Sequence, residues 1–140
     1  MKKIIFISFI LFSVFACSKK QHFSPEGPTD VRIRNLSDLA FTEVIVSTSE
    51  NTGDTISVGN ITSGSASEYF RFKKAYPKAE ISTKINIGGT LTKFSTGPVD
   101  YTYMQYIGQD KITYEVYISN PTNHLLTISN VILEEPLTLK

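Results

Sequence analysis

The sequence predicts an all-β domain, an antiparallel sandwich of about eight strands. Three observations carry that prediction. Apolar and polar residues alternate at period two in several stretches, most cleanly where Ala79, Ile81, Thr83, Ile85 and Ile87 alternate with Glu80, Ser82, Lys84 and Asn86. Clusters of Gly, Pro, Asn and Ser interrupt the chain at short, regular intervals. No stretch after the first residues carries the 3.6-residue periodicity of a long amphipathic helix.

The chain of 140 residues opens with a leader of different character. Lys2 and Lys3 precede an almost unbroken apolar run from Ile4 to Ala16, and Cys17 follows, the only cysteine. This is the layout of a secretory signal peptide, and the run is short for a bilayer span. The expected organisation is a signal peptide over 1–16, a tether over 17–29, a β-sandwich over 30–134 and a tail over 135–140. The tether is polar and carries Pro25, Gly27 and Pro28. A flexible segment of about twelve residues reaches roughly 20 Å.

From Asp30 the strands follow in order. Val31 and Ile33 alternate with Arg32 and Arg34, a half-buried strand with its cations on the wet side. Phe41 to Ser47 is apolar and β-branched. Phe41 and Val44 cannot share a face under strict alternation, so a bulge is expected near Glu43. A loop over 49–54 leads to a short strand through Ile56, Val58 and Ile61. Ser65 followed by Glu68 mimics a helix capping box, but Tyr69, Phe70 and Phe72 favour strand and Pro77 stops any helix early, so Ser67 to Lys73 reads as strand, with a one-turn helix as the alternative. Gly88-Gly89 is a two-residue hairpin signal between Ala79–Ile87 and Leu91–Ser95. Tyr101 to Tyr106 reads as an aromatic strand. Ile112, Tyr114, Val116 and Ile118 alternate again, Pro121 marks a hairpin loop, and Leu125 to Leu133 is the last strand.

Several functional classes are excluded by composition. Of the 14 Lys and Arg, two lie in the leader, and the rest nearly balance 13 Asp and Glu. Such a surface makes no electrostatic case for nucleic acid. Without a second cysteine there is no disulfide and no thiolate zinc site. His124 is the one histidine after the tether, too few for a histidine metal cluster or a triad with a visible partner. Glu134 and Glu135 point to opposite faces of a strand and cannot act as a paired acid and base. No phosphate-cradling G-x-G-x-x-G motif exists. Glu50, Asn51 and Asp54 match no EF-hand loop and read as a solvated polar loop. No cofactor and no metal are expected, and no enzymatic activity.

Val14-Phe15-Ala16-Cys17 resembles the lipobox of bacterial lipoproteins, with bulky Phe15 as a departure where a small residue is usual. The resemblance implies cleavage before Cys17, acylation there with chains such as palmitate, and anchoring to the bacterial envelope through that lipid. Ser18, not aspartate, resembles the Gram-negative pattern for the outer membrane. The strand layout resembles immunoglobulin-like or transthyretin-like sandwiches in architecture. Ser67-Glu68-Tyr69, Ala75-Tyr76-Pro77, Pro98-Val99-Asp100-Tyr101 and Ile112-Thr113-Tyr114-Glu115 look like landmarks of a family of small bacterial lipoproteins. That likeness covers roughly residues 30–118 and implies no activity. Asp54-Thr55-Ile56 resembles an envelope O-glycosylation acceptor, with Thr55 as the modified residue.

Tyr101 and Tyr103 are the candidate ligand-binding residues. Tyrosine offers an apolar face and a hydroxyl, which suits glycan or peptide partners. In a strand the two share one face. The expected function is an interaction or accessory module of the envelope. The alternative is a glycan- or peptide-binding lipoprotein that presents these two tyrosines.

Overall fold

In a computed structural model of the chain, the structure describes residues 27–49 and 54–136. The leader, Cys17 and most of the tether lie outside the described residues, as do Glu50 and Asn51.

The domain is all-β. Its strands are β1 (Thr29–Asn35), β2 (Phe41–Ser47), β3 (Thr55–Ile61), β4 (Phe70–Phe72), β5 (Glu80–Ile87), β6 (Thr90–Ser95), β7 (Asp110–Asn120) and β8 (Leu125–Pro136). They form one sheet in the order β3-β2-β5-β6-β8-β7-β1-β4. The edge strands β3 and β4 approach each other where the Asp54 carboxylate accepts the Lys73 amide at 3.2 Å. The sheet is thereby curled into a nearly closed, barrel-like shape.

The alternation read from the sequence sets the faces. In β1, Thr29, Val31, Ile33 and Asn35 are buried while Asp30, Arg32 and Arg34 are half-exposed. In β5, Ile81, Thr83 and Ile85 are buried between exposed Glu80, Lys84 and Asn86. The bulge in β2 is present: Glu43 takes φ 51° and the register with β3 shifts between Phe41 and Val44. That extra residue lets Phe41, Val44 and Val46 all reach the core. The Gly88-Gly89 hairpin is present as well, with Ile87 opposite Thr90 and φ of 58° and 91° at the two glycines. Positive φ at both central positions is the type I′ geometry, which matches the twist of the flanking strands.

One apolar cluster joins strands from the whole sheet, including Val31, Ile33, Phe41, Val46, Ile85, Phe94, Ile112 and Val116. Each such side chain stabilises by about 1.5–3 kcal/mol on burial. Tyr114 is fully buried among them, and its hydroxyl donates to the Tyr76 carbonyl. Burial pushes its phenol far above the ordinary tyrosine range, so it stays neutral.

The structure corrects several expectations. The sheet is mixed and not wholly antiparallel. β1 runs parallel to β7, from Asp30 opposite Lys111 to Asn35 opposite Val116, and β6 meets β8 in parallel at Ser95 and Leu125. Local alternation fixes which face a residue takes, but not which distant strand lies beside it. All eight strands belong to one hydrogen-bonded sheet. Thr29, assigned to the tether, opens β1 and is fully buried. The tail expected to begin at 135 is still strand, because Lys111 and Asp110 pair with Glu135 and Pro136. Only Phe70–Phe72 of the 67–73 stretch is strand; Ser67 meets β1 separately, its amide donating to the Ile33 carbonyl at 2.8 Å and its hydroxyl accepting the Ile33 amide at 3.0 Å.

Tyr101 to Tyr106 is not a strand. The Asp100 carboxylate accepts the Thr102 amide at 2.9 Å, and the Met104 amide closes a turn on the Tyr101 carbonyl at 3.1 Å. An Asx turn of this kind competes with sheet pairing despite the β propensity of the tyrosines.

Candidate functional site

The site begins where β6 and β8 part. Beyond Ser95, the Thr96 amide donates to the Ile81 carbonyl at 2.9 Å, and the Thr96 hydroxyl accepts the Ile81 amide at 2.9 Å. The same hydroxyl donates to the Ala79 carbonyl at 3.1 Å. Thr96 thus commits the chain to β5, and Gly97, at φ 80°, turns it away from β8. Residues 96–109 then run as a loop to β7. Structureless connections of this length are uncommon in compact domains and are often functional.

Between loop and strand lies a cleft of about 330 Å³, within the size range of ligand pockets. Pro98, Val99, Asp100 and Met104 form the loop side, and Leu126, Thr127 and Ile128 form the β8 side. Buried Ala79 and Leu126 make an apolar floor, and Lys78 adds a cation. The Asp100 carboxyl is held below the usual carboxylate range by hydrogen bonds from Thr102, chiefly its side chain and then its amide. It is an anion at neutral pH and not a general acid.

The loop is anchored from beneath by an aromatic group. The Tyr76 ring lies 4.8 Å from the Tyr101 ring and 4.7 Å from the Tyr106 ring. Lys74 Nζ sits 4.7 Å from the centre of the Tyr106 ring. The Tyr101 hydroxyl donates to the Ser47 carbonyl at 3.1 Å and accepts the Glu80 amide at 3.3 Å. Tyr101 is therefore a buried strut. The expected shared face with Tyr103 does not form, because the segment is a turn.

Tyr103 has the opposite environment. It is 100% exposed and takes φ 66°. For a bulky non-glycine residue that conformation is an outlier, at a cost of order 1–3 kcal/mol. The anchored turn holds a large aromatic ring in water beside Met104.

Thr55 opens the edge strand β3 and is exposed, with its hydroxyl 3.2 Å from that of Ser47. Its neighbour Asp54 is buried, bonded by the Ser49 hydroxyl at 2.8 Å as well as by the Lys73 amide. His124 ends the β7–β8 loop at φ 55°, its ring 5.1 Å from that of Phe94.

A second polar group lies on the outer face of β1, β7 and β8. Arg32 Nε donates to Thr113 Oγ1 at 2.9 Å, and its Nη2 meets Glu134 Oε1 at 2.6 Å. The Thr113 hydroxyl also donates to Glu134 Oε1 at 2.6 Å. The Glu134 carboxyl is pulled below its ordinary value, first by Thr113 and also by Arg32 and Tyr69. Tyr69 lies over Arg32 at 4.8 Å, and burial raises its phenol. The carboxylate is stabilised as an anion, which suits structural clamping and not proton transfer at neutral pH.

Among the described residues no group of three His, Cys, Asp or Glu side chains could hold a metal ion. Also among them, no helix is long and apolar enough to cross a membrane. The sequence reading missed Lys78, Thr96, Val99, Met104 and Thr127. The available signal was the Gly97-Pro98 break followed by residues without alternation.

No protein-family model matches the chain, and no curated protein matches it. Among solved structures, the chain is similar to one described as an NMR structure of a protein from Eubacterium rectale. The two are 15% identical, with 76% of this chain and 93% of that chain covered, at a TM-score of 0.47.

Proposed function

We propose that this protein is a lipid-anchored lipoprotein of the bacterial envelope whose β domain is a non-enzymatic interaction module, with the cleft under loop 96–109 as its binding surface. The observation that carries the binding surface is Tyr103, fully exposed in a strained conformation and next in sequence to Met104, which lines that cleft. Strain of this kind persists only where the surroundings enforce it, and it gathers at binding sites. The anchor rests on the leader: Lys2, Lys3, the run Ile4–Ala16 and Cys17. Several acyl chains at Cys17 hold far more firmly than one. Ser18 favours the outer membrane.

Within this reading the one sheet folds over on itself, so that β3-β2-β5-β6 and β8-β7-β1-β4 face each other like the two layers of an immunoglobulin- or transthyretin-like sandwich. Its support is the single residue pair, Ser95 with Leu125, that joins the two halves. Thr55 is the proposed O-glycosylation acceptor, supported by its exposure on an edge strand.

Two experiments test the reading. Cys17→Ser in cells should release the protein to the soluble fraction or leave it unprocessed. A mature N-terminus without lipid would remove the anchor. A photoreactive residue at position 103 should crosslink the protein to discrete envelope partners, while the same residue at Lys93, on exposed β6, should not. Equal labelling from both positions would remove the binding surface. Glycan binding is the second reading, because the free Tyr103 ring has a face open for stacking on a sugar.

A further inference from the structure

Resting on the reading that this cleft is the binding surface, we propose that its ligand is an extended peptide segment of a partner protein. The segment adds as a strand to the free edge of β8 at Leu126–Ile128, with one apolar side chain in the cleft.

Backbone pairing leaves one edge of β8 open. β7 pairs with β8 along its length, from Asp110 opposite Pro136 to Asn120 opposite Leu125. On its other edge β8 meets β6 at Ser95 and Leu125 alone. Past that pair, among the described residues, no strand lies along this edge. Unpaired backbone amides and carbonyls form a row that another strand satisfies in register.

Exposed edges are ordinarily blunted by charge, proline, shortness or irregularity. The other two edges obey this: β4 is Phe70–Phe72 only, and β3 carries Gly59 at φ 84° with register shifts against β2. In contrast, Leu125–Leu133 reads LLTISNVIL, with no charge, proline or glycine. Register shifts against β7, at Ser129 between the pairs Glu115–Asn130 and Val116–Ile128 and at Ser119 between the pairs Ile118–Leu126 and Asn120–Leu125, limit the regular run to Leu126–Ile128. That run coincides with the β8 side of the cleft. The added strand is therefore short.

The cleft defines the side chain. Its volume of about 330 Å³ between Val99, Met104 and Ile128 admits one or two apolar side chains, and the flexible Met104 thioether adapts to their shape. Lys78 and Asp100 supply one charge of each sign, so the site has no bias toward an anion or a cation. An uncharged segment that presents its backbone to β8 fits this balance.

The test uses the full chain, isotope-labelled in detergent micelles. The probes are acetylated, amidated pentapeptides of Ser and Thr with a central Val, Leu or Phe. Matched peptides carry a central Asp, or N-methyl groups on alternate amides. The apolar peptides should shift the Val99 and Met104 signals and slow amide exchange at Thr127 or Ile128. The Asp and N-methyl peptides, and the exposed substitution Thr127→Lys, should each weaken binding about tenfold or more. An unchanged unfolding midpoint would show that Thr127→Lys leaves the fold intact.

Shifts on the loop side that ignore N-methylation, without protection on β8, would overturn strand addition and leave the binding surface standing. Protection of β8 that depends on protein concentration and not on peptide would assign the edge to a second copy, which overturns the proposal. Shifts with an N-acetylglucosamine oligomer but with no peptide would replace it by the glycan reading. No peptide response together with no crosslinking from position 103 would remove both the proposal and the surface beneath it.

Discussion

Thr96 and Ile81 bond each other twice, amide to carbonyl and amide to hydroxyl, both at 2.9 Å. The pair completes the β5–β6 ladder one residue beyond β6 while the chain is already leaving for the loop. Thr96→Val keeps the shape but leaves the Ile81 amide without its acceptor. Leaving a buried donor unsatisfied costs about 1–3 kcal/mol. The urea midpoint should fall accordingly, and Thr96→Ser should recover most of it. A Val variant as stable as the parent would show that the hydroxyl is dispensable.

Ile85 is fully buried, whereas neighbouring Lys84 points to solvent, 2.5 Å from Glu43. Truncating a buried isoleucine costs about 2–5 kcal/mol. Exposed ion pairs are worth about 0–1 kcal/mol. Chemical denaturation should therefore separate Ile85→Ala clearly from Lys84→Ala. Similar midpoints for the two variants would contradict the facing of β5.

At Gly89 a Cβ would meet nothing within 4 Å, yet φ is 91°. Backbone strain, not crowding, is the obstacle to Gly89→Val, and it should destabilise by about 1–3 kcal/mol. Asn86 Oδ1 also accepts the Gly89 amide at 2.8 Å, which pins the same turn. Thermal unfolding of Gly89→Val at or above the parent midpoint would argue against this hairpin.

Glu134 supplies a pH dependence. Its carboxyl lies below the ordinary glutamate range, through Thr113 first and Arg32 as well. A depressed folded-state value means stability present above the unfolded value and lost as pH falls through the folded one. Stability should therefore decline on acidification from the ordinary glutamate range downward, and Glu134→Gln should decline less over that window. Parallel curves for parent and variant would show that the carboxylate contributes nothing.

Much of the fold was legible because it is written in local pattern. Phe41 and Val44 could both be buried only with an extra residue between them, and the backbone of Glu43 provides it. Gly88-Gly89 identified its hairpin because few dipeptides take positive φ twice. The parallel contact of β1 with β7 was not legible, since nothing around Arg32 points to Thr113 far along the chain. The cleft was hidden for a related reason. Tyr101, Tyr103 and Tyr106 favour strand, and the competing signal, Asp100 capping Thr102, is a single hydrogen bond. Once that turn forms, Tyr101 goes inward and Tyr103 outward.

The place of β1 in the sheet has a consequence for how the molecule comes into being. β1 is flanked by β7 on one side and β4 on the other. As the chain emerges in order, its first strand has no long neighbour until Lys111 through Val116 have appeared. Contacts that close such long stretches are slow to form, and chains dominated by them fold in about milliseconds to seconds. β2, β3, β5 and β6 can pair among themselves before β7 is made, but β1 cannot complete its place in the sheet. The first strand to be made is thus among the last to reach its final place.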